Sequence, residues 1–464
     1  ERRAANVPRR AAVNGFGFGG INGHLLIEEW LGEDVAAGSP VGTVPAPARI
    51  AEPVAIIGMA ARVGRWPDLH SFEQRVFGGG SETPEERSQW RGLSSEEIRS
   101  AWGREASLFP GYYLDDLSIP IDRFHIPPRE LAETLPQQIL MLDVAKSALE
   151  DARNPDLASS RAGVFIGLGL DLRTTDFHFR WTAGNRAAEW AQQAGLDPDS
   201  AAFERWKAQL CDTACPHLTA DRTLGALGGI VASRVAREFH ISGPSHGICG
   251  EETSGLHALE AGVRALQRGD LDTVLAGAVD LSGDLRALLA ADALRAYSRD
   301  GPAKPFDVGA SGAVPGEGAA CVVLKRYCDA RRDGDRIYAV VRGIGAANGN
   351  TGEWLAPDPA AYRRALERAY TDAGVAACID LLETHGSGAP DEDAVEAQAL
   401  ADFFGSTRRS GACYLASAKA DVGHTGAASG LVSLVKASLC LYHEIIPALR
   451  GCDAPRQELA GASA

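Results

Sequence analysis

Two histidines and a lysine in the C-terminal half of the chain are placed where they could take part in acyl-transfer chemistry. His385 ends a strand-like run in the segment ETHGSG, and His424 follows another in the segment KADVGHT, five residues after Lys419. Each histidine has glycine beside it at the predicted end of a strand, where a side chain can face a pocket. A single histidine more often has a structural role, but two at matched positions in successive β–α units indicate a shared site.

A possible nucleophile position lies upstream, where the chain reads GPSHGICGEETSG from residue 243. A turn, a short strand and then apolar residues at helical spacing from Leu256 to Leu266 predict a strand-to-helix elbow at residues 250–254. Free N–H groups at a helix N-terminus favour anions, and acyl-transfer enzymes hold their nucleophile at elbows of this kind.

Strand-like and helical segments alternate around these motifs. Apolar runs predict strands at residues 53–60, 163–168, 273–279, 338–344, 381–385 and 412–417, and residues 137–152 have the pattern of an amphipathic helix. This alternation predicts an α/β fold with a parallel or mixed sheet and helices on its faces.

Composition and charge narrow the classes of function. Of the 464 residues, 45% are apolar and 23% are charged, as is ordinary for a globular protein. The formal net charge of −15 argues against a nucleic-acid partner, which would require a basic face. The sequence has no run of 18 apolar residues, so no membrane partner is predicted. Nine scattered cysteines favour reduced thiols and a cytoplasmic location.

Two literal motif matches are interpreted as accidental. Residues 15–20 match G-x-G-x-x-G, but a dinucleotide site needs a buried strand before the motif and a helix after it. Here the preceding residues are charged and the following ones look like a strand. Cys211 and Cys215 are spaced as C-x₃-C, and only His217 is close enough to add a zinc ligand. No metal is therefore predicted.

The whole chain resembles the β-ketoacyl synthases of polyketide and fatty-acid synthases. That family has a G-P-S…D-T-A-C-S-S-S elbow, an H-G-T-G histidine, a K-x-N-x-G-H histidine and a terminal G-F-G-G-x-N-x-H hairpin. Matching landmarks lie at residues 243–245, His385, His424 and residues 17–24. The resemblance implies a thiolase-like fold with five αβαβα layers, built from two similar halves with mixed sheets.

The sequence departs from the family pattern at the nucleophile. Alignment on residues 243–245 places Glu252 where the family has its cysteine, while Cys249 falls three positions early. The D-T-A-C at residues 212–215 lies outside the elbow and is interpreted as coincidence. Asp421 and Gly426 replace the asparagine and the glutamate that the family commonly has around the second histidine.

A more specific resemblance gives the predicted domain organisation. Residues 111–142 resemble the chain-length-factor domain of bacterial polyunsaturated fatty acid synthases, in which an active ketosynthase directly precedes that domain. Residues 1–30 then represent the C-terminal hairpin of an upstream ketosynthase, and residues 31–50 a linker. Residues 51–464 are the chain-length-factor-like domain, with halves at about 51–330 and 331–464 and without its own last hairpin.

The resemblance implies that Glu252, His385, His424 and Lys419 occupy the catalytic positions. A carboxylate is a poor nucleophile toward a thioester, so we expect acyl loading to fail. The first hypothesis is a catalytically incomplete partner of an active ketosynthase, shaping the acyl tunnel in a pseudo-symmetric dimer. The second is a malonyl-carrier-protein decarboxylase of the priming type, and a third is condensation through Cys249. The implied substrate carrier is the phosphopantetheine arm of acyl carrier protein, with no bound cofactor.

Three geometric predictions follow from these interpretations. The side chains of Glu252, His385 and His424 should converge within about 12 Å, since shared chemistry needs contact distances. The dimer interface should include residues 243–252 and the strand at 273–279. One hypothesis for the hairpin at residues 11–29 is that it docks on the strands near 338–344 or 412–417, covering a sheet edge that is otherwise unpaired. The alternative is that it pairs only with its own ketosynthase and is loosely placed in this chain.

Overall fold

A computed structural model describes residues 10–16, 22–28, 52–78, 80–87, 89–90, 93–102, 109–114, 117–158, 161–281, 284–349, 357–376, 379–405 and 413–460. The predicted linker at residues 31–50 lies outside these ranges. The strands are β1 Arg10–Phe16, β2 Asn22–Glu28, β3 Val54–Val63, β4 Gln89–Trp90, β5 Leu93–Ser94, β6 Ala162–Leu168, β7 Ser245–Ile248, β8 Thr273–Asp280, β9 Gly318–Arg326, β10 Ala339–Val341, β11 Leu381–Glu383 and β12 Tyr414–Ala416.

The helices are α1 Leu69–Phe77, α2 Ser95–Trp102, α3 Pro128–Ala132, α4 Pro136–Asp151, α5 Phe177–Gln193, α6 Ala201–Ala214, α7 Ala220–Ala226, α8 Val231–Glu238, α9 Ser254–Gln267, α10 Leu285–Leu294, α11 Tyr327–Asp333, α12 Pro359–Ala373, α13 Pro390–Gly405, α14 Ala418–Val422, α15 Ser429–His443 and α16 Gln457–Ala460. Within the described part of the chain, no helix is both long and apolar enough to cross a membrane.

A six-stranded mixed sheet forms the centre of the molecule, in the order β10-β3-β9-β8-β6-β7. Strand β6 runs parallel to both β7 and β8, and the remaining pairs are antiparallel. The apolar runs predicted at residues 53–60, 163–168 and 273–279 are strands of this sheet. They are apolar along their whole length because both faces are covered by helices.

Separate core layers lie on the two faces of this sheet. Val54 and Ile56 of β3 are fully buried on the face that carries α9 and α15. Ala55 and Ile57, which alternate with them, are buried on the face that carries α4 and α8. This alternation follows from the two-residue period of a strand. Because α9 packs on one face of this sheet, the elbow that precedes α9 lies beside the sheet as well.

Beyond α15 lies a second sheet, in which β11 and β12 pair in parallel. Helices α12 and α13 of the same half pack against each other, with the ring of Tyr370 against Phe403 and Phe404. The order helices, sheet, helices, sheet, helices is the five-layered arrangement expected. The second sheet has two strands among the described residues, and the strand predicted at residues 338–344 belongs to the first sheet, where β10 pairs with β3.

The N-terminal hairpin forms but does not dock as predicted. Strands β1 and β2 pair in antiparallel register from Arg10 opposite Glu28 to Phe16 opposite Asn22. In the ranges that the structure describes, neither strand pairs with β10, β11 or β12. The docking prediction is therefore wrong, because β1 and β2 form a two-stranded sheet of their own. The glycine motif at residues 15–20 is followed by the strand β2, whereas a dinucleotide site would need a helix there.

One of the two predicted interface segments is also wrong. Strand β8, which contains residues 273–279, lies in the middle of the sheet between β9 and β6, and these residues are buried. A central buried strand has no free edge to offer a partner. Strand β7, by contrast, lies at one edge of the sheet, and His246 and Gly247 on it are exposed. The segment at residues 243–252 thus remains the available candidate.

Candidate active site

The predicted elbow is present between β7 and α9. After β7 ends at Ile248, a single helical turn at Glu251–Thr253 leads into α9. Glu251 has a φ of +50°, a left-handed conformation that is uncommon for a residue with a side chain. The Ser254 hydroxyl stabilises the turn: it accepts from the Gly250 N–H at 2.9 Å and donates to the Glu251 carbonyl at 2.5 Å. This backbone presents Glu252 just before the helix N-terminus.

The two histidines reach the same place from the second sheet. His385 follows β11, and His424 follows β12 and the short helix α14. Because β11 and β12 are parallel, the segments that leave their carboxyl ends lie at one edge of the sheet. Gly423 ends α14 with a φ of +75°, and the His424 N–H then donates to the Val314 carbonyl at 2.7 Å. The peptide on both sides of His424 is thereby fixed.

The structure brings three of the four candidate residues together. One potential ligand atom from each of Glu252, His385 and His424 lies within 4.8 Å of the other two. The two imidazole rings are 5.6 Å apart between centroids, and Nε2 of His424 is 3.5 Å from Oε1 of Glu252. Lys419 lies behind the cluster. Its buried Nζ donates to the His385 carbonyl at 2.7 Å, so its contact is with the backbone that carries the histidine.

Glu252 forms an ion pair with Arg295, the residue that follows α10. Both guanidinium Nη atoms contact the carboxylate, Nη1 at 3.5 Å from Oε2 and Nη2 close to Oε1. Burial alone would raise the pKa of Glu252, but His424 and Arg295 hold this pKa well below its ordinary value. The carboxyl is therefore ionised at neutral pH. Its negative charge is largely compensated by the guanidinium of Arg295.

Arg295 connects Glu252 to a second carboxylate. Its Nη1 donates to Oε1 of Glu392 at 2.8 Å, and the other oxygen of Glu392 accepts from the Ser387 hydroxyl at 2.6 Å and lies 3.4 Å from Nε2 of His385. Burial opposes ionisation here, but His385, Arg295 and Ser387 lower the pKa of Glu392 to about 2. Each of the two histidines thus faces a carboxylate of the chain itself.

One hydrogen bond assigns the tautomer of His424. The backbone N–H of Gly426 donates to Nδ1 at 3.1 Å, so Nδ1 is an acceptor and Nε2 carries the proton in the neutral ring. Burial lowers the pKa of His424 to about 4, which keeps the ring neutral at pH 7. The Nε2–H points toward Glu252, where it could donate to an oxygen in the site.

The same tautomer argues against a metal. Two histidines and a glutamate are a donor set that divalent transition metals bind. Binding at Nε2 of His424 would require a proton on Nδ1, facing the Gly426 N–H that now donates to it. The guanidinium of Arg295 also occupies the Glu252 carboxylate and would repel a dication. The residues present do not fit a metal ion.

Asp421, one of the two further departures from the family pattern, is part of the scaffold. Its side chain is 4% exposed and accepts from Lys436 at 2.8 Å and from Arg450 at 2.8 Å. Lys436 also contacts Glu383, the last residue of β11, at 3.3 Å. Asp421 therefore stabilises the packing behind the site, and its buried side chain does not line the space between Glu252 and the histidines.

The second departure, Gly426, is explained by its neighbour Asp280 at the end of β8. A Cβ at position 426 would lie 2.0 Å from Oδ2 of Asp280, and Gly426 has a φ of +48°. Oδ2 of Asp280 accepts from the Ala427 N–H at 2.8 Å. A side chain at position 426 and a carboxylate at position 280 therefore exclude each other.

Three residues of this site were missed in the sequence: Arg295, Glu392 and Asp280. Glu392 has a local indication, because it follows His385 by seven residues in the acidic first turn of α13. Asp280 directly follows the strand predicted at residues 273–279 and is the last residue of β8. Arg295 follows an ordinary helix far from every motif, and only the folded chain shows its role.

Cys211, Cys215 and Cys249 lie outside the cluster. Cys211 and Asp212 are in α6, well before the elbow, and Cys215 directly follows that helix. His217 contacts Arg180 at 2.6 Å, so it is already bonded to a cation. Cys249 is exposed just after β7 and is not in the group formed by Glu252 and the histidines.

Family models of the β-ketoacyl synthases match most of the chain. The model of the β-ketoacyl synthase N-terminal domain matches residues 51–330, and that of the C-terminal domain matches residues 338–453. The chain therefore belongs to the β-ketoacyl synthase family, and its relatives include components of polyketide synthases.

Among curated proteins, the chain is 32% identical over 426 residues to the pikromycin polyketide synthase component PikAIII of Streptomyces venezuelae. The alignment covers 89% of this chain and 25% of that protein, so the chain spans about a quarter of its relative's length.

Two solved structures agree in fold. The oxazolomycin ketosynthase domain OzmH KS7 of Streptomyces albus JA3453 is 26% identical with a TM-score of 0.71, covering 88% of this chain and 66% of that one. The PfaC keto synthase–chain length factor is 25% identical with a TM-score of 0.73, covering 93% of this chain and 44% of that one.

Proposed function

We propose that this chain is a catalytically incomplete ketosynthase-fold domain, a chain length factor, that pairs with an active ketosynthase in polyketide or polyunsaturated fatty acid synthesis. The observation that carries the proposal is Glu252 at the nucleophile position, ionised and bound by Arg295. A carboxylate held in this way cannot form the thioester on which condensation depends. The similarity to the PfaC keto synthase–chain length factor supports the same role.

The pairing part of the proposal is supported by the edge strand β7. It leads directly into the elbow, has a partner on one side only among the described residues, and exposes His246 and Gly247. An exposed edge with free backbone groups is suited to pairing with a second sheet. In our proposal the partner's acyl chain extends toward this region, and acyl carrier protein delivers it on its phosphopantetheine arm.

The domain division is also part of the proposal. Residues 1–30 are assigned to the end of an upstream ketosynthase, and residues 51–464 to the chain-length-factor-like domain. The hairpin of β1 and β2 supports this assignment, because it pairs with itself and with no strand of the main sheets in the described residues.

A decarboxylase remains the second candidate, because both histidines are retained. His424 presents an Nε2–H, and the two rings are close enough to contact one malonyl group. Against this candidate, His424 faces Glu252 and His385 faces Glu392, both of which are carboxylates of the chain. A malonyl carboxylate would have to displace them.

An assay with malonyl acyl carrier protein separates the candidates. The purified chain should release no carbon dioxide and transfer no acyl group, and should co-sediment with an active ketosynthase as a 1:1 complex. Carbon dioxide release without acyl transfer would establish the decarboxylase instead. Acyl transfer that is lost in Cys249→Ser would establish condensation through that thiol.

The variant Glu252→Cys tests whether the nucleophile alone is missing. Its thiol lies before a helix N-terminus and beside Arg295, both of which lower a thiol pKa, so we expect acylation by an acyl thioester. We expect condensation at least about 100-fold slower than in an active ketosynthase, since Glu392 still occupies His385. Turnover equal to that of the active enzyme would contradict the proposal.

A further inference from the structure

We propose that Arg295 and the Nε2–H of His424 form a carboxylate-binding site, and that its occupant in the native chain is the side chain of Glu252. The inference rests on the proposed function and extends it: the domain carries its own carboxylate where an active relative would hold its substrate. The ligand class is a carboxylate on a short chain.

The donors converge from two separate elements. Arg295 contacts both oxygens of Glu252 with its two Nη atoms, the forked geometry that guanidinium groups use to recognise carboxylates. His424 approaches the same carboxylate from another element, with its Nε2 at 3.5 Å from Oε1 of Glu252. The His424 side chain is 4% exposed, and its Nε2 has no hydrogen-bond partner within the described part of the chain. A buried donor of this kind calls for an acceptor in the site.

The donors are held in place without Glu252. Glu392 binds Nη1 of Arg295 at 2.8 Å and is itself bound by the Ser387 hydroxyl, so the guanidinium keeps an anchor when Glu252 is removed. His424 is oriented by the N–H of Gly426 and by its own backbone bond to Val314. Removal of the glutamate side chain should therefore leave a formed site, which binds more tightly than one that must reorganise.

The site is also open to solvent. The side chain of Glu252 is 39% exposed and that of Arg295 is 24% exposed. A small carboxylate could therefore enter when the glutamate is absent. Free acetate and the terminal carboxylate of a malonyl thioester have the same recognising group, and they differ only in the chain attached to it.

The test uses Glu252→Ala in the full chain, titrated with sodium acetate at constant ionic strength set by sodium chloride. We expect the melting temperature to rise with the logarithm of the acetate concentration, by about 1–3 °C at concentrations well above the Kd, from preferential binding to the folded state. Acetamide, which has the same shape but no charge, should give no rise. The unmodified chain should not respond to acetate, because its site is filled. In Glu252→Ala/Arg295→Ala the acetate effect should disappear.

A second arm distinguishes the two sources of the carboxylate. Malonyl-pantetheine should compete with acetate in Glu252→Ala, whereas acetyl-pantetheine, which lacks the free carboxylate, should not. Competition by both compounds would assign recognition to the thioester or the pantetheine arm and would overturn the proposal.

Other results would also overturn it. One is a response of the unmodified chain equal to that of Glu252→Ala, and another is acetate binding that survives loss of Arg295. If Glu252→Ala does not fold, the titration is made on Glu252→Ser. Failure of both variants to fold contradicts the claim that the donors are held independently of Glu252. None of these outcomes depends on carbon dioxide release or ketosynthase pairing, so the proposed function stands or fails separately.

Discussion

Two networks of charged residues lie in and behind the candidate site, and they differ in how far their side chains are exposed to solvent. The site network consists of Glu252, Arg295 and Glu392, in which the Glu252 side chain is 39% exposed. The buried network consists of Asp421, Lys436, Arg450 and Glu383, in which Asp421 and Lys436 are 4% and 3% exposed. Each network contains a residue that departs from the family pattern, Glu252 in the first and Asp421 in the second.

The two departures have different physical consequences. An ion pair near solvent contributes little to stability, so a change at Glu252 acts mainly on what the site can bind. Buried charges are costly unless every one is paired, so Asp421 is tied to the cations around it. A change in the buried network should therefore affect mainly the stability of the fold, and a change in the site network should affect mainly what the site binds or catalyses.

Loss of a buried cation should give the largest effect. In Lys436→Met, Asp421 keeps only Arg450 and Glu383 loses its ammonium partner. We expect a loss of about 3–5 kcal/mol in the free energy of unfolding, measured by urea denaturation, because uncompensated charges remain buried. The control is Arg186→Met, which breaks an exposed helical pair with Glu189 and should cost less than about 1 kcal/mol. Equal losses of unfolding free energy in the two variants would show that the buried network stabilises the fold no more than an exposed ion pair does.

A side chain at position 426 should give the next largest effect. Gly426→Ala places a Cβ 2.0 Å from Asp280 in a left-handed backbone, and we expect a loss of about 2–4 kcal/mol in the free energy of unfolding. Gly405→Ala is the control, since a Cβ there meets no atom of the described residues within 4 Å.

A double-mutant cycle isolates the clash with Asp280. In an Asp280→Ala background, Gly426→Ala should cost only about 1 kcal/mol, the cost of the left-handed conformation. Additive losses in the cycle would show that Asp280 is not the obstacle to a side chain at position 426.

The pH dependence of stability should report on Asp280. Burial raises its pKa from 3.8 to about 7, with further increases from Glu317, Asp171 and Glu251, while the Ala427 N–H opposes them. Between these values the folded chain keeps a proton that the unfolded chain has released. The stability that Asp280 contributes therefore falls as pH rises from about 4 to about 7, and is constant above that range.

The comparison that checks this is Asp280→Asn, whose side chain does not titrate. The difference in free energy of unfolding between the variant and the unmodified chain should shift in favour of the variant as pH rises from 4 to 7. A difference that stays constant across this range would mean that Asp280 is ionised throughout. Other groups, such as His424, remain in both proteins, so their titration cancels in the comparison.

Much of this arrangement could be predicted from the sequence, for identifiable reasons. The strands at β3, β6 and β8 are continuous apolar runs, and α9 has apolar residues at helical spacing, so local pattern determines them. The convergence of Glu252, His385 and His424 follows from their places at strand ends and at an elbow.

Other features depend on contacts that leave no local pattern. Arg295 reaches Glu252 across 43 residues, and Asp280 reaches Ala427 across 147. The central position of β8 is likewise set by long-range pairing, so a buried run could not show whether it lay at an edge. The docking of the hairpin was predicted wrongly for a related reason: the local pattern of β1 and β2 shows that they pair with each other, but not whether a third strand lies beside them.

The smallest expected effect on stability is at the site network, and it completes the comparison. Glu252→Gln keeps the shape of the side chain and removes its charge. Because Glu252 is 39% exposed and Arg295 retains Glu392, we expect a loss below about 1 kcal/mol in the free energy of unfolding, measured by urea denaturation beside Lys436→Met. A loss above about 2 kcal/mol would place Glu252 among the groups that stabilise the fold. The contrast between a network that determines chemistry and one that determines folding would then not hold.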